Sequence, residues 1–335
     1  MPKRLLTICI PTYNRKNVLI DELMQYLSIK DDRYYIKIHD NCSNDGTIEA
    51  LKEINDERLL LHFNEHNIGS VPNWMDSLCN CPSEYVLFVL DKDLVNIKEL
   101  PSFLNYLETS KPSFGYINLD ISKSGNDIIT EPGYNNVKVM CYLDKHPSGY
   151  YYNTDVFNEA YNHPLFQKID KMFIFPFEVL NGVISLKYPS TIIFKPLIIN
   201  AAIREKKDTR TLSFNESNIW FGEPKRFLEF SYYLDNVLNL DLCKKDKSRL
   251  SLLVLKHAVG HVTFSLKNML RNEEACYHYY VNCRKVTIGE MLANACKFIR
   301  YYYSYSNKVL STVNIVKNII YVSSITCLRV IKSYR

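Results

Sequence analysis

Residues 85–95 read Tyr-Val-Leu-Phe-Val-Leu-Asp-Lys-Asp-Leu-Val. An apolar run, Tyr85 to Leu90, ends in two aspartates one residue apart, Asp91 and Asp93, with Lys92 between them. A short continuous apolar run bounded by polar residues is the pattern of a strand buried on both faces. Ending it in two carboxylates puts them at the strand's carboxyl end, the edge at which open parallel sheets bind ligands.

The neighbouring segments repeat the arrangement. Leu5–Ile10 reads as a buried strand ended by Pro11, and Lys16–Ile29 carries apolar residues at helical spacing. Tyr34–His39 reads as a second strand, running into the polar turn Asp40-Asn-Cys-Ser-Asn-Asp-Gly-Thr47. Thr47–Ile54 follows as a helix with Asp45 or Thr47 as its N-cap. Leu59–Phe63 is a third strand, Val71–Cys79 a helix, Tyr85–Leu90 a fourth strand and Leu100–Ser110 a helix. Strands alternating with helices at this spacing predict a mostly parallel α/β sheet. Past Ser110 the pattern loosens. Strands are expected at Phe114–Ile121 and Tyr150–Val156, with Thr191–Phe194 and Leu197–Ile199 pairing with each other. Ile169–Leu186 reads as partly helical, interrupted by Pro176. From Pro224 onward the spacing is helical: Phe227–Leu240, Lys247–Arg271, Glu273–Arg284, Ile288–Tyr303 and Val309–Tyr334. The expected organisation is an α/β domain over residues 1–215 and a helical region over 216–335.

Composition narrows the class. The 10 cysteines are scattered through 335 residues, with Cys79-Asn-Cys81 the only tight pair and no CxxC, which argues against a disulfide framework or zinc site and for a reducing compartment. His257 and His261 stand one helical turn apart with no third ligand nearby in sequence, and read as a helix face. The apolar N-terminal run is too short for a signal peptide, and no stretch of about 20 uninterrupted apolar residues predicts a spanning helix. The net charge of +5 is uneven: residues 291–335 hold seven basic residues and no acidic one, which leaves −2 for the first 290. No nucleic-acid-binding module accompanies that charge.

Each strand end carries candidate chemistry. Asp91 and Asp93 can hold a hard divalent cation through oxygen ligands, or cap a solvated loop. Asp40 and Asn41 can accept from a nucleobase or ribose, or close an Asx turn. Pro11-Thr-Tyr-Asn-Arg15 can offer backbone groups and a stacking tyrosine, or serve as a helix-entry loop.

Taken in order, Pro11-Thr-Tyr-Asn-Arg15, Asp40-Asn-Cys-Ser-Asn-Asp-Gly-Thr47, Asn64-Glu-His-Asn-Ile-Gly69 and Asp91-Lys-Asp93 resemble the family 2 glycosyltransferases, inverting enzymes of the GT-A fold. The resemblance is close over residues 5–95 and weak to about 200. It departs at Lys92, where the family carries an acidic or small residue; a cation there weakens metal affinity or points away from the site. The resemblance implies that Pro11, Thr12 and Tyr13 line a base pocket, with Arg15 beside them, and that Asp40 and Asn41 meet the uracil or ribose. It implies that Asp91 meets the ribose or sugar, that Asp93, with Asp91, serves Mn²⁺ or Mg²⁺ and the diphosphate, and that Gly69 permits close packing. Ser148-Gly149 resembles the family's small-residue turn beneath the sugar. The general base is expected at the start of a helix: Glu178 first, Asp170 second.

The resemblance implies transfer of a sugar from a UDP-linked donor to a saccharide or lipid-linked acceptor in bacterial surface-polysaccharide synthesis, in the cytoplasm. Two other readings stand beside it: a sugar nucleotidyltransferase, which would want a Gly-rich basic N-terminal loop absent here, and a non-catalytic module with a decayed site. Residues 297–335 read as a basic amphipathic region able to lie on the inner face of the plasma membrane, to pack on the catalytic domain, or to form an oligomer contact.

Overall fold

The computed structural model describes residues 4–119, 125–169, 175–199, 223–278 and 282–334. The chain divides into two compact units, residues 1–140 with 144–209, and residues 141–143 with 210–335.

The first unit opens with β1 (Leu6–Thr12), α1 (Lys16–Ser28), β2 (Tyr34–Asp40), α2 (Thr47–Lys52), β3 (Leu59–Phe63), α3 (Ser70–Leu78), β4 (Tyr85–Phe88), β5 (Leu94–Val95) and α4 (Leu100–Ser110). It continues with β6 (Phe114–Ile117), β7 (Ile128–Thr130), α5 (Tyr134–Met140), β8 (Tyr150–Asn153), α6 (Thr154–Tyr161), α7 (Pro164–Gln167), α8 (Pro176–Ile184), β9 (Ser190–Ile193) and β10 (Ile198–Ile199). Eight strands form one sheet in the order β3-β2-β1-β4-β8-β6-β9-β7, and β10 pairs with β5 in a small second sheet. β1 lies parallel to β2, which lies parallel to β3, and β1 is also parallel to β4. Every residue of β1 and β2 is buried, because a central parallel strand is covered on both faces. β8 runs antiparallel between β4 and β6.

Much of this unit's core is tyrosine. Tyr150, Tyr151 and Tyr152 are consecutive and all buried, so β8 sends tyrosines to both sheet faces. Tyr151 explains a glycine in the neighbouring strand. A Cβ on Gly115, its register partner, would lie 2.3 Å from the Tyr151 hydroxyl and 2.2 Å from the Thr191 carbonyl. The hydroxyl crosses that space to donate to the Thr191 carbonyl at 3.2 Å.

The structure corrects several expected boundaries. β1 and β2 run on through Thr12 and Asp40, one register pair, so both site residues end their strands rather than follow them. Tyr150–Val156 is not one strand: the Asn153 side chain accepts from the Asp155 backbone N–H at 3.0 Å, N-capping α6 and ending β8. Pro176 opens α8 rather than interrupting it, since the first helical position needs no N–H donor. The strands near 191 and 198 do not pair with each other: β9 joins β6 and β7, and β10 joins β5.

The second unit is helical: α9 (Glu223–Asn239), α10 (Lys244–Gly260), a π-helical turn at His261–Ser265, α11 (Leu266–Met269), α12 (Glu273–His278), α13 (Ile288–Ser306) and α14 (Thr312–Tyr334). The single helix expected over Lys247–Arg271 is broken at that π turn, where the Thr263 hydroxyl donates back to the Val259 carbonyl. Tyr142 donates to Asn236 within this unit. Thr312–Ile331 is long and apolar enough to cross a membrane by length and composition, although polar residues, among them the adjacent pairs Lys317-Asn318 and Ser323-Ser324, interrupt its apolar run.

Candidate active site

The carboxyl ends of β1, β2 and β4 bring the sequence motifs together. Pro11 and Thr12 end β1, opposite His39 and Asp40 of β2. The Thr12 hydroxyl donates to Asp91 Oδ2 at 2.9 Å, and Arg15 Nε lies 3.4 Å from Asp91 Oδ1. Burial pushes the Asp91 carboxyl above its ordinary range, opposed by Arg15, Thr12 and Lys92. Tyr13 is 38% exposed beside this pair, a ring open to stacking. Lys92 is half-buried, and its charge acts on both Asp91 and His146, so it borders the site.

Asp93 is fully buried. The Ser148 hydroxyl donates to its Oδ2 and accepts from the Leu90 backbone N–H at 2.9 Å. Gly149 follows with φ +102°, a conformation in which a Cβ would stand 2.8 Å from the Ile117 carbonyl. Its N–H donates to the Phe88 carbonyl at 2.9 Å, and its own carbonyl accepts from the Ile117 N–H at 2.9 Å. The Ser148-Gly149 turn therefore stitches the end of β4 to β6. His146, which sequence reasoning passed over as part of a turn, places Nε2 3.6 Å from Asp93 Oδ2. Burial pushes His146 below its ordinary value while Asp93 pulls it up. The nearest signal in the sequence was the turn His146-Pro-Ser-Gly149 itself.

Glu178 lies in the first turn of α8 and is buried. Its Oε1 accepts from the Lys145 backbone N–H at 2.8 Å and from the Tyr150 hydroxyl at 3.1 Å. Burial pushes Tyr116 upward, and the charges of Glu178 and Asp93 both add to that shift. Tyr116 therefore lies within electrostatic reach of both carboxylates. Asp170 lies outside the described residues.

The second strand end is a closed network. Asp40 Oδ1 accepts from the Ser43 N–H at 2.8 Å and Oδ2 from the Ser43 hydroxyl, so a buried side chain closes the turn that follows β2. Asn41 uses its whole amide: Nδ2 donates to Asn67 Oδ1 and the Gly69 carbonyl, and Oδ1 accepts from Asn64 and the Ile68 N–H. It thus anchors the loop Asn64–Gly69. Gly69, at φ +92°, turns that loop into α3. His39 accompanies the network, 3.2 Å from Asn64 Oδ1, and burial pushes it down to about 4.

The sequence matches the Glycosyl transferase family 2 profile over residues 7–179, a span that includes every strand-end motif and Glu178. The chain belongs to glycosyl transferase family 2. No curated protein matches it. Solved structures place this family 2 member on a glycosyltransferase fold. S. aureus TarS superposes with a TM-score of 0.57 at 15% identity, covering 96% of this chain and 53% of TarS. The chain thus spans about half the length of that protein. The 1–349 portion of TarS, in complex with UDP-GlcNAc, gives 0.56 at 14% identity, covering 90% of this chain and 92% of that one. The mannosyltransferase PcManGT from Pyrobaculum calidifontis, in complex with GDP-Man and Mn²⁺, gives 0.51 at 11% identity, covering 97% and 88%. The chain carries a family 2 glycosyltransferase domain of the GT-A type, followed by a helical C-terminal region.

A divalent cation fits this site at one residue above others. Both oxygens of Asp91 are taken, by Thr12 and Arg15. Asp93 is a fully buried carboxylate whose Oδ2 accepts from the Ser148 hydroxyl and faces the His146 imidazole, and a carboxylate oxygen is the donor type a hard cation takes.

Proposed function

We propose that this enzyme is an inverting glycosyltransferase that moves a sugar from a UDP-linked donor to a saccharide or lipid-linked saccharide acceptor in cell-surface polysaccharide synthesis. The observation that carries the reading is the pair of buried carboxylates, Asp93 and Glu178, both held by one short segment through Ser148, Lys145 and Tyr150 within a family 2 framework. The nucleoside sits among Pro11, Thr12, Tyr13 and Asp40, with the base on the exposed Tyr13 ring. Asp91, held by Thr12 and Arg15, orients the ribose or sugar. Mn²⁺ or Mg²⁺ bound at Asp93 would offset the diphosphate charge.

Glu178 is the general base. Lys145 and Tyr150 both bind Oε1, which fixes the carboxylate's direction. It takes the proton of an acceptor hydroxyl as that oxygen forms its bond to the anomeric carbon. The bond from that carbon to the diphosphate breaks, its electron pair leaves with the phosphate oxygen, and the anomeric configuration inverts. The reading puts the reaction in the cytoplasm, with which the ten free cysteines agree.

Titration calorimetry of UDP and of GDP, each with and without Mn²⁺, tests the donor site. The expected result is UDP binding that strengthens with Mn²⁺. Binding of neither nucleotide by folded protein would overturn the reading and favour a non-catalytic module.

A further inference from the structure

We propose that the outward face of α14 is a docking surface for an anionic lipid bilayer. α14 packs one side into the helical unit: Ile315, Asn318, Val322, Thr326 and Val330 are buried, and Asn318 donates to the Ser248 carbonyl at 3.0 Å and the Tyr302 hydroxyl at 2.7 Å. The opposite side exposes Val313, Val316, Ile320, Leu328 and Ile331. At 100° per residue these fall within one face about 120° wide, which also carries Cys327, Ser324 and Lys317, with Tyr321 at its border. Ile320 and Leu328 are each 60% exposed, against the usual rule that such side chains scatter singly over a surface.

Charge decides between occupants. A second copy of the chain in a two-fold contact would set this face against itself. The face carries Lys317 and no carboxylate, within a segment, residues 291–335, of seven basic residues and no acidic one, so such a contact would bring like charges together with no carboxylate on the face to pair them. An anionic bilayer supplies the missing negative charge and an apolar layer for the stripe. A helix with one side fixed in protein lies along the surface rather than crossing it. The inference deepens the proposed function, since a surface-bound transferase suits an acceptor carried on a lipid.

The test is sedimentation of the full chain with vesicles of zwitterionic lipid alone and of zwitterionic lipid mixed with anionic phospholipid. The probe contains no nucleotide, so its outcome is independent of the donor-site titration. The expected result is binding to the anionic vesicles alone, weakened by salt and reduced at least about ten-fold by the double substitution Ile320→Glu, Leu328→Glu. Both positions are exposed, so melting temperature should hold and show that the loss is not unfolding. Failure of the wild type to sediment with anionic vesicles overturns the proposal, as does equal binding by the double variant. A wild-type dimer in light scattering that the substitutions dissociate, without lipid binding, would assign the face to a second copy instead.

Discussion

At the scale of single residues, the site separates two aspartates that the sequence presents as equivalents. Asp91 accepts from Thr12 and faces Arg15, whereas Asp93 is buried against Ser148 and His146. Asp93→Asn keeps the shape and the bond from Ser148 but removes the charge. It is expected to abolish Mn²⁺-dependent strengthening of UDP binding in calorimetry, with little change in melting temperature. Glu178→Gln keeps an acceptor for Lys145 and Tyr150, so UDP binding should survive while kcat falls by about 10²–10⁴. A kcat within a few-fold of wild type would remove Glu178 from the role of base. His39 supplies a pH prediction. Its folded value is about 4 against an ordinary 6.5, so the unfolded chain binds more protons between them. Stability from the neutral ring is complete above about 6.5 and is lost as pH falls toward 4, on the order of 2 kcal/mol. Relative to His39→Gln, wild-type melting temperature should fall more steeply across that window.

At the scale of elements, the strand ends are tied by turns rather than by the ladder. Ser148-Gly149 binds Leu90, Phe88 and Ile117, and Asn41 holds the loop before α3. Gly149→Ala meets both an unfavourable positive φ and a carbonyl 2.8 Å away. A loss on the order of 3 kcal/mol is expected in urea unfolding. A neutral effect would mean that the turn relaxes without cost. The elements most legible in the sequence were those with their own punctuation: Leu59–Phe63 and Leu100–Ser110 lie where the pattern put them. Boundaries were misread where a cap or a partner strand decided them, as at Asn153 and at β9 and β10.

At the scale of the whole molecule, every described site residue lies in the first unit, while the basic C-terminal segment lies in the second. Saturating UDP with Mn²⁺ at about one hundred times Kd should stabilise the protein by about 2.7 kcal/mol. In hydrogen exchange, added protection is expected at residues 12–15 and 91–93, the strand ends that meet the donor. Protection confined to residues 223–334 would contradict the site.

The sequence alone determined the alternation of strands and helices, the placing of Asp40, Asp91 and Asp93 at strand ends, and the glycosyltransferase family, because these reside in local period and in short contiguous motifs. Only the tertiary structure decided that Asn41 braces a loop, that His146 stands at Asp93, that β8 runs antiparallel, and that α14 turns an apolar stripe outward. Each of those joins residues distant in sequence or separates two faces of one helix. Pattern along the chain reports which side chains are apolar, but not which neighbour, if any, covers them.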